Sequence, residues 1–498
     1  VSARERPGSG PAAPGGAAGD PRRWRALAVL ALVQFVFVLD LTVVNVALPR
    51  IQGELRFDPA GLAWVVNAYA LTAGGLLLLG GRLGDLLGRR RVFLAGVALF
   101  AASSLVCGVA GTAGLLVAGR FGQGAGEALA APAGLAMVAL LFEDARERGT
   151  AIGIWAGLSA VGGTLGVVVS GVVNDLTTWR WIFLVNLPVA AFVLIAVPRL
   201  VTAAHVLAPA PPAPGRARAG PRADVAGALC VTAGMVALVY GLLRAAELPW
   251  GSAPVVVPLA AGLALLAAFA AVERRARHPL VPPAFFTDRV RMTGTAATLL
   301  FASAFFAMFF LLTLYMQKAL GWSPLWTGLA YVPYGLMIVA GGGLATALLP
   351  RLGCGPPLAA GCAIGGAGLL LLSGMSPGGS YLADVLPGSL VVGFGAGLTF
   401  PMLGNACLHG VSEADAGLAS GVQNAVYQAG GALGLAVLVT VAVRHAGGAD
   451  DPAALTAGYA VALRAGAGAM LAAALLAAVL LRPYGGMERP GRGEPRRT

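Results

Sequence analysis

Fourteen apolar stretches, each long enough to cross a bilayer as a helix, follow one another along this chain, and few folds accommodate so many. At a rise of about 1.5 Å per residue, about 20 apolar residues cross a hydrocarbon core of about 30 Å. By that measure the spans fall at 26–47, 61–80, 91–110, 113–140, 149–173, 181–201, 223–243, 253–272, 292–316, 325–349, 355–374, 383–406, 416–442 and 457–481. Hydrophobic residues fill 58% of the 498 positions and charged ones 11%, so no large water-soluble domain fits between the spans. The expected class is an all-α integral membrane protein.

The arginines set the expected orientation. Arg22, Arg23 and Arg25, Arg82 with Arg89 to Arg91, Arg146 and Arg148, Arg216, Arg218 and Arg222, Arg274, Arg275 and Arg277, and the tail from Arg489 to Arg497 all fall in alternate loops. The intervening loops hold scattered ones such as Arg50, Arg180 and Arg244. By the positive-inside rule the arginine-rich loops and both termini are cytoplasmic, in a bacterial cell membrane. The net charge of +12 is therefore topological, and no nucleic-acid partner is expected. Residues 1–25, rich in Gly, Pro, Ala and Arg, read as a disordered cytoplasmic tail without the apolar core of a signal peptide. The five cysteines lie in or beside apolar segments with no metal-like pairing, and read as small core residues.

An internal repeat organises the spans. RFGQGAGEALAAP at 120–132 is echoed by VVGFGAGLTFP at 391–401, with Gly126 on Gly395 and Pro132 on Pro401 at an offset of 269 residues. Gly149 and Gly153 fall on Gly417 and Gly421 at an offset of 268, and LGRRRVFLAG at 87–96 matches LGCGPPLAAG at 352–361 more weakly. This shift carries span four onto span twelve. Two six-span halves, 26–201 and 292–481, with two inserted helices at 223–272 would produce it, and parallel repeats of this kind are a transporter plan. A Pro-rich linker at 202–222, a loop at 273–291 and a tail at 482–498 complete the expected cytoplasmic parts.

A charge at a helix centre costs about 2.5–3.5 kcal/mol on insertion scales, and so calls for a partner. Asp40 lies about 21 Å along span one, or about 9 Å below the outer surface. Span four runs the other way and brings Arg120 to about 10 Å below that surface, so the two can meet. Glu127 follows Arg120 by two helical turns, sharing a stripe with Gly124 and with Gln123 at its edge, but lies too deep to touch Asp40. A carboxylate whose site is alternately opened and closed can switch protonation, which is the chemistry of a proton carrier. The alternative is a structural salt bridge that only fixes helix packing. Arg464 is expected to snorkel to the outer interface.

In span five, Gly162, Gly166 and Ser170 stand four apart, a spacing that lets two backbones approach closely. Gln34, Asn45, Gln123, Asn405, Gln423, Asn424, Tyr427 and Gln428 are candidate polar groups of a central cavity, though each can instead bond a neighbouring helix.

Taken together, LDLTVVNVALP at 39–49, GRLGDLLGRRR at 81–91, RFGQGAGEALAAP, WRWIFLVNLPVA at 179–190, ERRARHPLVPPAFF at 273–286 and AGLASGVQNAVYQAGGALGLAV at 416–437 resemble the fourteen-helix drug:proton antiporters of the major facilitator superfamily. The resemblance implies the major facilitator fold, two six-helix halves plus two extra helices. It implies a coupling role for Asp40, with Arg120 influencing its protonation. It also implies that Gly81, Arg82, Gly84, Asp85, Gly88, Arg89 and Arg90 form a loop that latches the halves. A purely orienting role for that basic loop is the alternative. The antiporter motif of span five reads G-x-x-x-G-P-x-x-G-G in this family. Here Val167 stands at the proline and Ser170 at a glycine, leaving Gly162, Gly166 and Gly171.

The expected function is proton-coupled export of hydrophobic or amphipathic small molecules by alternating access. Its partners are the substrate, protons and membrane lipid, and the protein acts as a monomer without cofactor or metal. An importer of a polar nutrient would bring several polar residues together at mid-depth, and few are present. A membrane-embedded enzyme or receptor is the remaining alternative. His205, His278, His409 and His445 are scattered in loops, no Gly-Lys-Ser/Thr phosphate loop occurs, and the outer loops are short.

Overall fold

In a computed structural model the described residues are 22–142, 144–201, 225–275, 281, 285, 287–411, 416–447 and 451–481. Residues 1–21, the linker at 202–222 with Arg216, Arg218 and Arg222, Arg277 and the tail at 482–498 lie outside them, whereas Arg22–Arg25, expected within the disordered tail, already form the first turn of a helix. All regular structure among the described residues is helical. Lipid offers no partner to a backbone amide, so each span satisfies its own hydrogen bonds as a helix.

The chain runs through α1 (Arg22–Leu55), α2 (Gly61–Leu87), α3 (Arg89–Gly108) and α4 (Ala113–Leu141). Next come α5 (Ala145–Leu176), α6 (Trp181–Leu200), α7 (Val225–Arg244) and α8 (Ala253–Arg275). The series ends with α9 (Arg289–Ala319), α10 (Pro324–Leu352), α11 (Gly355–Leu372), α12 (Tyr381–Cys407), α13 (Ala416–Ala446) and α14 (Pro452–Leu480). Thirteen of these are long and apolar enough to cross a membrane, and α5, a continuous helix of 32 residues, stands where the fifth expected span lies. Asp144, Asp288, Ser323 and Asp451 cap the starts of α5, α9, α10 and α14 with side-chain oxygens. Such caps contribute about 1 kcal/mol each and mark where the chain leaves lipid.

Both described chain ends lie at one end of the bundle, here the terminal end. There Arg23 pairs with Glu147 at the start of α5 at 2.7 Å, and Arg90 donates to the Val201 carbonyl at 3.1 Å. Helices α1–α6 pack among themselves, as do α9–α14. The two groups meet along two seams, α2 against α13 and α5 against α10. The repeat is visible in the packing. A Cβ on Gly126 would lie 2.8 Å from the Gly96 carbonyl oxygen, and one on Gly395 would lie 2.7 Å from that of Gly361. The matched glycines thus make the same crossing in each group, α3 on α4 and α11 on α12.

The α7–α8 hairpin is attached through α7, which lies on α2 and α13 and so covers that seam. Thr440 Oγ1 donates to the Leu242 carbonyl at 2.7 Å, and Arg444 donates to the carbonyls of Ala245 and Leu248 at 2.5 Å each. Most of α8 is left uncovered by the rest of the bundle, because it packs almost entirely on α7.

Candidate functional site

Asp40 and Arg120 are both fully buried, and Arg120 Nη1 donates to Asp40 Oδ2. The other carboxylate oxygen accepts from Gln123 Nε2 at 3.0 Å and from Asn186 Nδ2 at 2.7 Å. Ser104 Oγ accepts from Gln123 Nε2 at 2.8 Å and from Asn186 Nδ2 at 3.4 Å. Arg120 further donates through Nε to the Val65 carbonyl and through Nη1 to Gln123 Oε1, both at 2.8 Å, and its guanidinium stands 4.4 Å from the centre of the Tyr69 ring. Its Nη2 has no partner. Withdrawing two opposite charges from water costs several kcal/mol per ion, and only a dense set of donors offsets that. Five helices, α1, α2, α3, α4 and α6, supply this one.

The close approach of α2 and α4 depends on absent side chains. A Cβ on Gly124 would lie 2.1 Å from Thr72 Oγ1, and one on Gly80 would lie 1.9 Å from the Ala128 carbonyl oxygen. One turn beyond Gly124, Glu127 is buried with Oε2 unpartnered, and its side chain interacts with that of Tyr69. Gln123, expected at the edge of the stripe, sits at the centre of the network with no exposed surface. Asn186, Ser104 and Tyr69 were not anticipated. A polar residue inside the apolar run FLVNLP was the available signal for Asn186.

Helix α5 meets α1 through the small residues of its motif. A Cβ on Gly166 would lie 2.1 Å from Thr42 Oγ1, one on Gly162 would lie 3.0 Å from the Phe35 carbonyl oxygen, and Ser170 Oγ donates to the Val43 carbonyl. Gly171 faces the other way, where a Cβ would lie 2.7 Å from the Pro324 carbonyl oxygen at the start of α10. Val167 is buried inside an unbroken helix.

In the α2–α3 loop, Asp85 pairs with Arg89 at 3.1 Å, and Gly88 takes a φ of 96°, which permits the sharp turn between the helices. Gly81, Gly84 and the part-buried Arg82 line the last turns of α2, and Arg90 binds Val201 as described.

The candidate cavity groups separate. Asn45 donates to the Leu41 and Thr42 carbonyls of its own helix, and Asn405 to that of Pro401. Gln34 and Gln423 are part-buried and Asn424 is exposed. Gln428 is buried at the α2–α13 seam, where a Cβ on Gly74 would lie 2.7 Å from its Cβ, and its Oε1 is unpartnered. Tyr427 joins a cluster of rings, 5.4 Å from Phe306 and 5.8 Å from Phe400. Arg464 is exposed and lies 3.4 Å from Ser373 Oγ, just past the end of α11.

Opposite the terminal end the two groups are bolted together. Gln317 Nε2 donates to the Val46 carbonyl at 2.8 Å, Asp175 accepts from Ser323 Oγ at 3.0 Å and Leu325 N at 3.3 Å, and Arg50 reaches Asp175 at 3.6 Å. Trp179 Nε1 and Arg180 Nη1 both donate to Glu54, at 2.6 and 2.5 Å, which ties the α5–α6 turn to the end of α1. Helix α5 touches α10 mainly along Pro324–Ala330. Toward the terminal end, along Val332–Leu352, α10 scarcely touches α5. This seam is closed at one end and parted at the other.

Comparison with known proteins agrees with this architecture. The chain is 41% identical over 463 residues to the lincomycin resistance protein of Streptomyces lincolnensis, covering 93% of this chain and 92% of that protein. It is 41% identical over 458 residues to the cephamycin export protein CmcT of Amycolatopsis lactamdurans, covering 91% and 92%. The fold is similar to a crystal structure of the peptide transporter POT in complex with sulfate, with a TM-score of 0.66, 17% identity and coverage of 93% and 94%. The family model for the Major Facilitator Superfamily matches residues 30–435. With thirteen helices long and apolar enough to cross a membrane, two groups in matched register and a family model that matches residues 30–435, the chain belongs to the Major Facilitator Superfamily of membrane transporters.

Proposed function

We propose that this transporter exports hydrophobic or amphipathic antibiotic-like molecules in exchange for protons. The observation that carries the reading is the Asp40 carboxylate, fully buried and accepting from Arg120, Gln123 and Asn186. The similarity to proteins named for lincomycin resistance and cephamycin export supports the direction and class of cargo.

With the arginine-rich terminal end in the cytoplasm, the α5–α10 seam is closed outward and parted inward, while the α2–α13 seam stays packed near that end, where a Cβ on Gly421 would lie 2.8 Å from Leu78. Helices α1–α6 and α9–α14, with sequence borders at 26–201 and 292–481, would act as the rocking halves, and the α2–α3 loop as their cytoplasmic clasp. Asp40 in its ionised form accepts from Arg120, Gln123 and Asn186. A proton on Oδ2 removes the charge that holds Arg120, and the guanidinium then needs another acceptor. Glu127, on the same stripe with a bare Oε2, offers a second place for a proton. Such a network has two arrangements set by one proton, which is what coupling to a rocking motion requires.

The test is dye or antibiotic uptake into inverted vesicles energised by an acid interior. Asp40→Asn and Arg120→Ala should abolish gradient-driven uptake in protein that remains folded, and Glu127→Gln should alter its pH dependence. Gradient-coupled uptake retained in the first two variants would overturn the coupling role.

A further inference from the structure

Six aromatic side chains from four helices converge inside the second group. Phe305 and Phe309 of α9 lie 5.2 Å apart, and Phe305 meets Phe400 of α12 edge-on at 5.2 Å and Tyr427 of α13 at 6.4 Å. On the other side Phe309 stacks on Tyr331 of α10 at 5.1 Å and 25°, and meets the edge of Tyr334 at 5.2 Å and 89°. Phe305, Phe309, Phe400 and Tyr427 are only part-buried, so ring surface stays open beside a packed base.

The base carries one unspent polar atom. Tyr334 is 3% exposed, and its hydroxyl has no hydrogen-bond partner. The titratable groups acting on it are the hydroxyls of Tyr427 and Tyr331. A buried hydroxyl left unmade costs about 1–3 kcal/mol, so its retention among rings calls for an occupant that bonds it. No charged residue occurs at 292–314, 325–350, 386–407 or 417–443, the stretches that carry the cluster. Recognition there rests on ring faces and one hydroxyl.

We infer that this cluster is the subsite that receives a planar aromatic ring of the transported molecule, with Phe309 and Phe305 presenting their faces and the Tyr334 hydroxyl hydrogen-bonding a polar group on that ring, such as an aryl amine that donates to Tyr334 Oη. The inference rests on the export reading and refines its cargo. It also separates the two tasks: the ring subsite lies on α9, α10, α12 and α13, whereas the Asp40 network lies wholly on α1–α4 and α6. Cargo and proton therefore communicate through the movement of the halves, not by sharing ligands.

Transport in proteoliposomes tests this with ethidium as the ring-bearing probe and cetyltrimethylammonium as the ring-free one. Phe309→Leu and Tyr334→Phe should each raise the ethidium KM about 3- to 10-fold, while KM for the ring-free probe stays within about 2-fold. The maximal rate and the pH profile should be unchanged, as a packing role would not leave them. Equal losses on both probes, or no change on either, overturn the inference. Wild-type protein that moves cetyltrimethylammonium but not ethidium overturns it too and leaves the export reading standing. Wild-type protein that moves neither overturns the export reading itself.

Discussion

Asn186, at the start of the second part of α6, donates a hydrogen bond to Asp40 Oδ1 at 2.7 Å and so ties the sixth span to the carboxylate of the first. Removing it leaves Gln123 as the only remaining donor to that oxygen. Asn186→Ala should cost about 1–3 kcal/mol in stability and change the pH profile of transport. Thermal unfolding in detergent and transport at several pH values check both, and an unchanged pH profile would place Asn186 outside the coupling network.

The Asp40–Arg120 pair predicts non-additive behaviour. Asp40→Asn or Arg120→Gln alone leaves one buried charge unpaired, which should cost about 3–5 kcal/mol. The double variant should regain a large part of that in melting temperature while still failing to couple transport to a proton gradient. Additive losses in the double variant would show that the two side chains are energetically independent.

Gly171 predicts control of the closed end. Its missing side chain lets α5 touch the Pro324 carbonyl, so Gly171→Leu should wedge α5 away from α10 and open that end. A cysteine introduced in place of Gln317, in a background without the native cysteines, should then react faster with an impermeant thiol reagent. An unchanged reaction rate would mean that the contact does not hold the seam shut.

The hairpin predicts a loss of stability with little loss of specificity. Arg444→Ala removes two hydrogen bonds to the α7–α8 loop and a guanidinium lying 5.3 Å from the Trp250 ring. The melting temperature should fall, by about 1–3 kcal/mol in free energy, with KM for any one substrate unchanged. A changed KM would place the hairpin in the transport path.

Glu247, in the same loop, predicts a weak pH effect. Partial desolvation raises its pKa above the usual carboxylate range, reinforced by the Asp58 carboxylate and opposed by Arg244. The folded protein therefore holds this proton more tightly than the unfolded chain does. The resulting stability is complete in acid below the ordinary carboxylate value and is lost as the pH rises through the raised one. Glu247→Gln should flatten that part of the stability profile, by about 0.5 kcal/mol or less, because the residue is exposed and screened. Parallel profiles for the two proteins would discount the Asp58 interaction.

Much of this architecture is a local property of the chain. An apolar run must form a helix in lipid because no other single segment satisfies its own amides, so class and span positions follow from composition alone. Depth along a helix is also one-dimensional, which is why Asp40 and Arg120 could be brought to one level by counting residues. The glycine register that matches Gly126 to Gly395 is likewise written in the chain, and the packing turns it into two equivalent helix crossings.

Rotation and neighbour choice are different in kind. Whether Gln123 faces a cavity or a carboxylate, and whether Asn186 reaches across to Asp40, depends on how each helix is turned about its axis against several others at once. The same holds for the six rings of α9, α10, α12 and α13, which are dispersed between Phe305 and Tyr427, and for the hairpin lying on the α2–α13 seam. The sequence by itself determined that the chain crosses a membrane many times, and that a carboxylate and a guanidinium lie within reach of one another. Tertiary structure alone decided which donors complete that pair, where the rings gather and which end of the α5–α10 seam is shut, because these depend on side-chain packing between helices, and that is a property of the assembled bundle.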